Sequence, residues 1–327
     1  MSSKTVKTQQ SRRTKSQTKK TPSGKTGSQK SIQKIVPHLW FDNQAEEAVN
    51  FYVSIFKKSN IGSISRYGES GAKISGMSQG TVLTVTFSLE GQEFMALNGG
   101  PVYKFTPAIS FYVKFGTTQE IDTLWHKLSV DGTILMALDK YPFSTKYGWL
   151  QDKYGVSWQL NVESGGQKIT PLFTFVGKQN GKAEEAMNFY SSLFENSRII
   201  SISRYRAGDG DIEGNVNHGV FSLGGQEFMA MESSMNHPFT FNPAISFLVN
   251  CDTQEEIDYL WEKLTAGGEE VQCGWLSDKY GVSWQIVPTV LGKMMVDKDA
   301  KKTERVMQAL LPMKKLDIGI LQQAYEK

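Results

Sequence analysis

The chain repeats itself. Residues Ala45–Phe56, reading Ala-Glu-Glu-Ala-Val-Asn-Phe-Tyr-Val-Ser-Ile-Phe, return as Ala183–Phe194, identical at nine of twelve positions. Ser63–Tyr67 returns unchanged as Ser201–Tyr205, Gln92–Ala96 as Gln226–Ala230 and Pro107–Phe111 as Pro243–Phe247. Gly148–Gln159 returns as Gly274–Gln285, differing only at Gln151 against Ser277. The blocks keep their order at a period of about 126–138 residues, too long for a solenoid. Whatever one copy folds into, the chain must fold into twice.

Within a copy the hydrophobic period alternates. Ile35–Phe41 reads as a strand. Ala45–Phe56 reads as a helix, with Ala45, Ala48, Val49, Tyr52 and Phe56 at helical spacing and Asn43 a candidate N-cap. Ser63–Tyr67, Thr81–Leu89 and Glu93–Leu97 read as strands, the last two joined by Glu90-Gly91. The pattern then restarts: strand Ala108–Phe115, helix Thr118–Leu128, and strands Thr133–Leu138, Gly148–Leu150 and Ser157–Val162. Each copy is βαβββ twice. Strands that outnumber single helices predict an α+β fold rather than a doubly wound sheet. Beyond the repeat, Val306, Met307, Leu310 and Leu311 predict a helix that Pro312 breaks, and Leu316, Ile320, Leu321 and Tyr325 a second.

The run Ala-Glu-Glu-Ala-x-Asn-Phe-Tyr, the Gly-Gln-Glu-Phe-Met-Ala hairpin, Pro-Ala-Ile-Ser-Phe, Glu-Ile-Asp-x-Leu-Trp, and Gly-Trp-Leu-x-Asp-Lys-Tyr-Gly-Val-Ser-Trp-Gln together resemble one family. They look like the PhnB-like branch of the glyoxalase/bleomycin-resistance (vicinal oxygen chelate, VOC) superfamily, a branch often labelled 3-demethylubiquinone 3-methyltransferase-like. The resemblance spans about residues 33–327. It implies tandem glyoxalase-like domains, each of two βαβββ units forming curved mixed sheets around a cleft, with helices added at the C-terminus. On that reading residues 1–32 are a tail, 33–166 and 167–290 the two domains, and 291–327 a helical extension. The methyltransferase label finds no support in the residues, because no strand leads into a Gly-x-Gly turn before a helix that would hold S-adenosylmethionine.

Metal-dependent lyases, isomerases and dioxygenases of the superfamily carry His and Glu ligands on four strands facing the cleft, and use the ion as a Lewis acid. The resemblance places the first ligand on His38 and on Leu172 in the second copy. The second falls within Phe94–Asn98, where only Asn98 has a donor, and within Phe228–Glu232, where Glu232 does. The third falls near Ala108 and Ala244, and the last, a Glu in metal enzymes, on Gln159 and Gln285. A neutral amide ligates a divalent ion poorly. The expectation is therefore no metal and no cofactor.

Alternation along strands suggests what faces the cleft instead. His38 and Trp40 share a face of the first strand, Leu172 and Thr174 of its counterpart, and Ala108, Ser110 and Tyr112 share another. Ser157 and Gln159 share a face of the final strand. The expected ligand-contacting residues are His38, Trp40, Tyr112, Gln159, Thr174, Glu232 and Gln285, lining a cleft that binds a small organic molecule.

Charge is confined at one end. Residues 1–34 hold ten Lys or Arg and no acid, leaving 26 basic against 33 acidic side chains in the rest. The tail has almost nothing apolar and is expected to be disordered, with weak nucleic-acid contact through counterion release as an alternative role. Two cysteines, Cys251 and Cys273, make no disulfide scaffold and fit a cytoplasmic protein. No run approaches a membrane span. Covalent joining raises the effective concentration of one copy beside the other, so a monomer with an internal pseudo-dimer, or a homodimer, is expected.

Overall fold

A computed structural model describes residues 1–3, 32–165 and 168–327. The tail on which disorder and nucleic-acid contact are expected lies outside the described residues. Among the described residues sixteen strands and eight α-helices follow one another, and they repeat a unit of strand, helix and three strands four times. The first unit holds β1 (Ile35–Phe41), α1 (Ala45–Ile55), β2 (Asn60–Arg66), the short α2 (Glu69–Ser75), β3 (Val82–Leu89) and β4 (Gln92–Asn98). The second holds β5 (Ile109–Phe115), α3 (Thr118–Leu128), β6 (Thr133–Tyr141), β7 (Ser144–Gln151) and β8 (Ser157–Val162). The third holds β9 (Ile169–Val176), α4 (Ala183–Leu193), β10 (Arg198–Arg204), β11 (Val216–Leu223) and β12 (Gln226–Ser233). The fourth holds β13 (Ile245–Cys251), α5 (Gln254–Thr265), β14 (Glu269–Glu270), β15 (Trp275–Ser277) and β16 (Ser283–Pro288). Three helices close the chain: α6 (Thr289–Met294), α7 (Ala300–Leu310) and α8 (Ile318–Glu326).

The units pair across the repeats. Sheet I has the order β14-β15-β16-β13-β1-β4-β3-β2, the fourth unit joined to the first. Sheet II has the order β10-β11-β12-β9-β5-β8-β7-β6, the third joined to the second. The seams are antiparallel, with His38 opposite Ser246 and Leu172 opposite Ser110. Chain length explains this pairing. The short stretch between β8 and β9 has only to step past β5, two strand spacings of about 4.8 Å each, to place β9 in the sheet that already contains β8.

Each sheet has a helix face and a cleft face. On the helix faces Phe94 of sheet I meets Phe111 of sheet II at 5.3 Å between ring centres, and Phe247 of sheet I meets Phe173 of sheet II at 5.2 Å. Both sheets thus share one apolar core, with the amphipathic helices packed into it. The invariant loop between the last two strands of a repeat is tied into the same core. Asp152, buried, accepts from Tyr52 Oη at 2.7 Å, Trp158 Nε1 at 2.8 Å and the backbone N–H groups of Tyr154 and Val156. Asp278 does the same with Tyr190, Trp284, Tyr280 and Val282. The turn that brings these N–H groups round needs a left-handed residue, supplied by Gly155 and Gly281, both at φ +90°.

The helix starts differ from the sequence expectation. Asn43 does not cap α1. Its first N–H, on Ala45, donates instead to Asn98 Oδ1 at 2.8 Å, from the end of β4. In the second repeat the N–H of Ala183 donates to Glu232 Oε1 at 2.7 Å. No described helix is long and apolar enough to cross a membrane.

Candidate functional site

The cleft faces are built from the alternate positions of the strands at each seam. On sheet I these are His38 and Trp40 of β1, Met95 and Leu97 of β4, Ser246 and Leu248 of β13, and Ser283, Gln285 and Val287 of β16. On sheet II the same places hold Leu172 and Thr174, Met229 and Met231, Ser110 and Tyr112, and Ser157, Gln159 and Asn161. Of the residues expected at a ligand, His38, Trp40 and Gln285 therefore come together on sheet I. Tyr112, Gln159 and Thr174 come together on sheet II.

Glu232 joins neither group. It has the parity of Phe228 and Ala230, which face the helices. Besides Ala183, it accepts from the N–H of Val216 at 2.6 Å, so both carboxylate oxygens hold backbone donors. Its expected role at the ligand is corrected: it fixes the start of α4 against β11. Asn98, the donor weighed as a second ligand in the first copy, has the same position and the same task. The residues level with His38 are Met95 and Ser246, so the third position is Ser246 rather than Ala244.

The cleft face of sheet II satisfies most of its own polar groups. Gln159 Nε2 donates to Ser110 Oγ at 2.8 Å, and its Oε1 accepts from Tyr147 Oη at 2.7 Å. Asn161 donates to Tyr112 Oη, which donates onward to Glu163 at 3.1 Å, and Trp149 Nε1 donates to Ser157 Oγ at 2.8 Å. Around this network Tyr112, Tyr147, Leu172 and Met229 form a packed apolar cluster with Met136, Tyr141 and Trp149. The long β6–β7 hairpin supplies its outer side. Thr174 Oγ1 is the buried polar atom left without a partner.

Sheet I is different. Gln285 Nε2 donates to Ser246 Oγ at 3.0 Å, repeating the bond of Gln159. Its Oε1 accepts from no described residue, because the place of Tyr147 is taken by Cys273. Trp275 Nε1 likewise has no described partner, and Ser283 Oγ donates to the carbonyl of Leu276. His38 is buried with Nδ1 unpartnered. Desolvation holds its pKa down at about 3, so the imidazole is neutral at physiological pH. Aromatic rings stand in a chain beside it: His38 to Trp275 at 5.5 Å, Trp275 to Trp40 at 5.8 Å and Trp40 to Tyr103 at 5.1 Å, each edge to face. Trp40, Met95, Leu97 and Trp275 remain half-buried, whereas Thr174 and Met229 at the places of Trp40 and Met95 are fully covered. Sheet I thus keeps an apolar, aromatic surface with open polar groups.

The C-terminal extension borders this surface. Val306, Met307, Leu310, Leu316 and Leu321 form a cluster of their own that takes in Leu83 of β3, Val287 of β16 and Cys273. Leu83 lies toward the C-terminal end of β1 and Val287 toward its N-terminal end, on opposite sides of the seam. The extension therefore meets both flanks of the face. It also completes the edge, since the N–H groups of Cys273 and Gly274 donate to Met313 and Lys314 at 2.6 and 2.8 Å. The repeats explain why it is needed there: β14 and β15 have two and three residues where β6 and β7 have nine and eight.

The donors on this face of sheet I are the imidazole of His38, the thioether of Met95, the hydroxyls of Ser246 and Ser283 and the amide of Gln285. That set has no carboxylate or thiolate and does not fit a divalent ion. Among the described residues no three His, Cys, Asp or Glu side chains converge. Two surface hollows lie away from the cleft faces, one at Arg204, Tyr205 and Glu213 and one at Lys57, Glu120 and Lys168. Three of the cations that line them are already paired: Arg204 with Glu184, Lys57 with Glu120 and Lys168 with Glu90.

No functionally curated protein matches the chain. A PhnB protein from Bacillus cereus is 54% identical over 40% of this chain and 100% of its own, with a TM-score of 0.37, so its whole length matches about one repeat. A glyoxalase I variant from Zea mays is 9% identical over 77% of this chain and 90% of its own, with a TM-score of 0.50, a likeness of fold. The family model of 3-demethylubiquinone-9 3-methyltransferase matches twice, over residues 33–161 and 167–287. With both repeats matched, the chain belongs to that PhnB-like family.

Proposed function

We propose that the protein binds a small, uncharged, ring-bearing organic molecule on the cleft face of sheet I, without a metal. The observation that carries this is His38: a buried imidazole with an unpartnered Nδ1 set edge-on to Trp275. A buried polar atom without a partner costs about 1–3 kcal/mol, and a ligand's hydrogen bond would recover it. The surroundings fit a neutral ligand. Met95, Leu97, Leu248 and the two indoles are apolar, and the positions level with His38, namely Met95, Ser246 and Ser283, carry no charge.

An imidazole with a pKa of about 3 is a weak base, so the face suits recognition better than proton abstraction near neutral pH. Methyl transfer needs a place for S-adenosylmethionine. Neither sheet is doubly wound, and no strand runs into a Gly-x-Gly turn before a helix. The family name therefore describes descent and not chemistry supported by these residues.

The test is native mass spectrometry of freshly purified protein, alongside fluorescence titration of Trp40 and Trp275 with neutral ring compounds. A retained organic mass or a saturable quench, lost in Leu248→Trp, is the expected result. A protein that shows only its own mass and no saturable response to any ring compound would overturn the proposal.

A further inference from the structure

The two repeats differ at one place where the difference describes a ligand. In sheet II the Oε1 of Gln159 accepts from the phenol of Tyr147, whose ring lies in the cleft-face cluster with Tyr112, Leu172 and Met229. In sheet I the equivalent glutamine is held in the same way. Gln285 Nε2 donates to Ser246 Oγ as Gln159 Nε2 donates to Ser110 Oγ, and the side chain is equally buried. The tyrosine is gone. Cys273 stands in its place, with its thiol turned to the carbonyl groups of Leu310 and Leu311 in the extension. Gln285 Oε1 is left with no donor from any described residue.

We infer that sheet I takes a hydroxyl-bearing aromatic ring, a phenol-like molecule, whose O–H donates to Gln285 Oε1 as Tyr147 does to Gln159. This rests on the reading of sheet I as the binding face. The inference also assigns one site to each chain, because on sheet II the side chain of Tyr147 occupies the ligand's place. The other open groups fit such a ring. Trp275 Nε1, which donates to no described residue, is a donor for a second ring substituent. His38 Nδ1 offers a third polar point, and Trp40 and Trp275 offer edges and faces for the ring. No acid or base is required of the protein: the phenol stays protonated and no bond is made or broken.

The experiment is calorimetric titration of the full chain with 2-naphthol and with its methyl ether, 2-methoxynaphthalene. The expected result is one 2-naphthol per chain, bound about tenfold more tightly than the ether, the worth of one buried hydrogen bond. Gln285→Leu should erase the difference between the two compounds, while Gln159→Leu leaves it intact. Tyr147→Ala should raise the stoichiometry from one to two. Equal affinity for the two compounds in the unaltered chain would overturn the inference while leaving the binding face standing, as would a preference lost through Gln159→Leu and kept in Gln285→Leu. Binding of neither compound, nor of naphthalene, would instead overturn the binding face itself.

Discussion

The phenol of Tyr52, on a helix packed against sheet I, donates across 2.7 Å to Asp152, on a loop of sheet II. Tyr190 and Asp278 make the same link in the second repeat at 2.6 Å. Each pair joins two units that are neighbours in sequence but lie in different sheets. Both partners are buried, and burial pushes the carboxyl group of Asp152 up while its donors hold it down. Tyr52→Phe should therefore cost about 1.5–3 kcal/mol, the range for a hydrogen bond to a charged group. Tyr190→Phe should cost as much, and the two losses should add, since the links share no atom. Urea denaturation checks this. A change under about 0.5 kcal/mol would show that the link is dispensable.

The buried His38 sets a pH dependence. The unfolded chain takes up a proton on this residue near pH 6.5, while the folded chain resists until about 3. Stability is therefore full above pH 6.5 and falls as pH drops toward 3, by at most about 1.4 kcal/mol per pH unit. His38→Leu, which copies the residue at this place in the second repeat, should remove that slope. The measurement is the difference in unfolding free energy between the two proteins at pH 7 and pH 5. An equal loss in both would assign the acid sensitivity elsewhere.

Glu232 is expected to matter for folding and not for ligand. Glu232→Ala strands the N–H groups of Ala183 and Val216 and should cost about 2–3 kcal/mol. Titration of the variant with 2-naphthol should give the unaltered affinity. Weaker binding at unchanged stability would return Glu232 to the cleft.

The extension is expected to behave as part of the body. Leu316, fully buried against Gly274, should cost about 2–4 kcal/mol when cut to Ala. Limited proteolysis should then release fragments that begin after residue 288. Resistance equal to the unaltered chain would mean that the extension is held by something other than this contact.

Residues 33–166 expressed alone would contain β1 to β8 with the seam edges of β1 and β5 unpaired. Bare edges seek partners. Light scattering should find a dimer or aggregates. A stable, soluble monomer would show that a repeat closes on itself.

Much of this was readable from the residues. Helix Thr118–Leu128 and strand Ser157–Val162 were placed to the residue, because a helical stripe and a period-two run leave little freedom. The helix α2 was missed: Gly71 interrupts it, and the groups that secure its start, Ser70 and Glu304, are more than two hundred residues apart. His38, Trp40 and Gln285 were placed on a cleft because strand parity is local. Glu232 was misjudged because its parity depends on where β12 begins, which no single run of residues marks. The repeated Asp-Lys-Tyr-Gly-Val-Ser-Trp marks the loop of Asp152 in the sequence but does not show what the carboxylate binds. Its partner Tyr52 lies a hundred residues away.

The pairing of β1 with β13 sets the order in which this protein can be made. Ile35 meets Val249, so the central seam of sheet I waits until the ribosome has delivered more than two hundred further residues. Sheet II, whose seam joins Ile109 to Phe173, closes much earlier. Contacts so far apart in sequence slow folding, and an unfinished sheet edge is open to strangers meanwhile. The first unit must therefore emerge before its partner and mature after it, exposed to chaperones and to neighbouring chains until the fourth unit has been made.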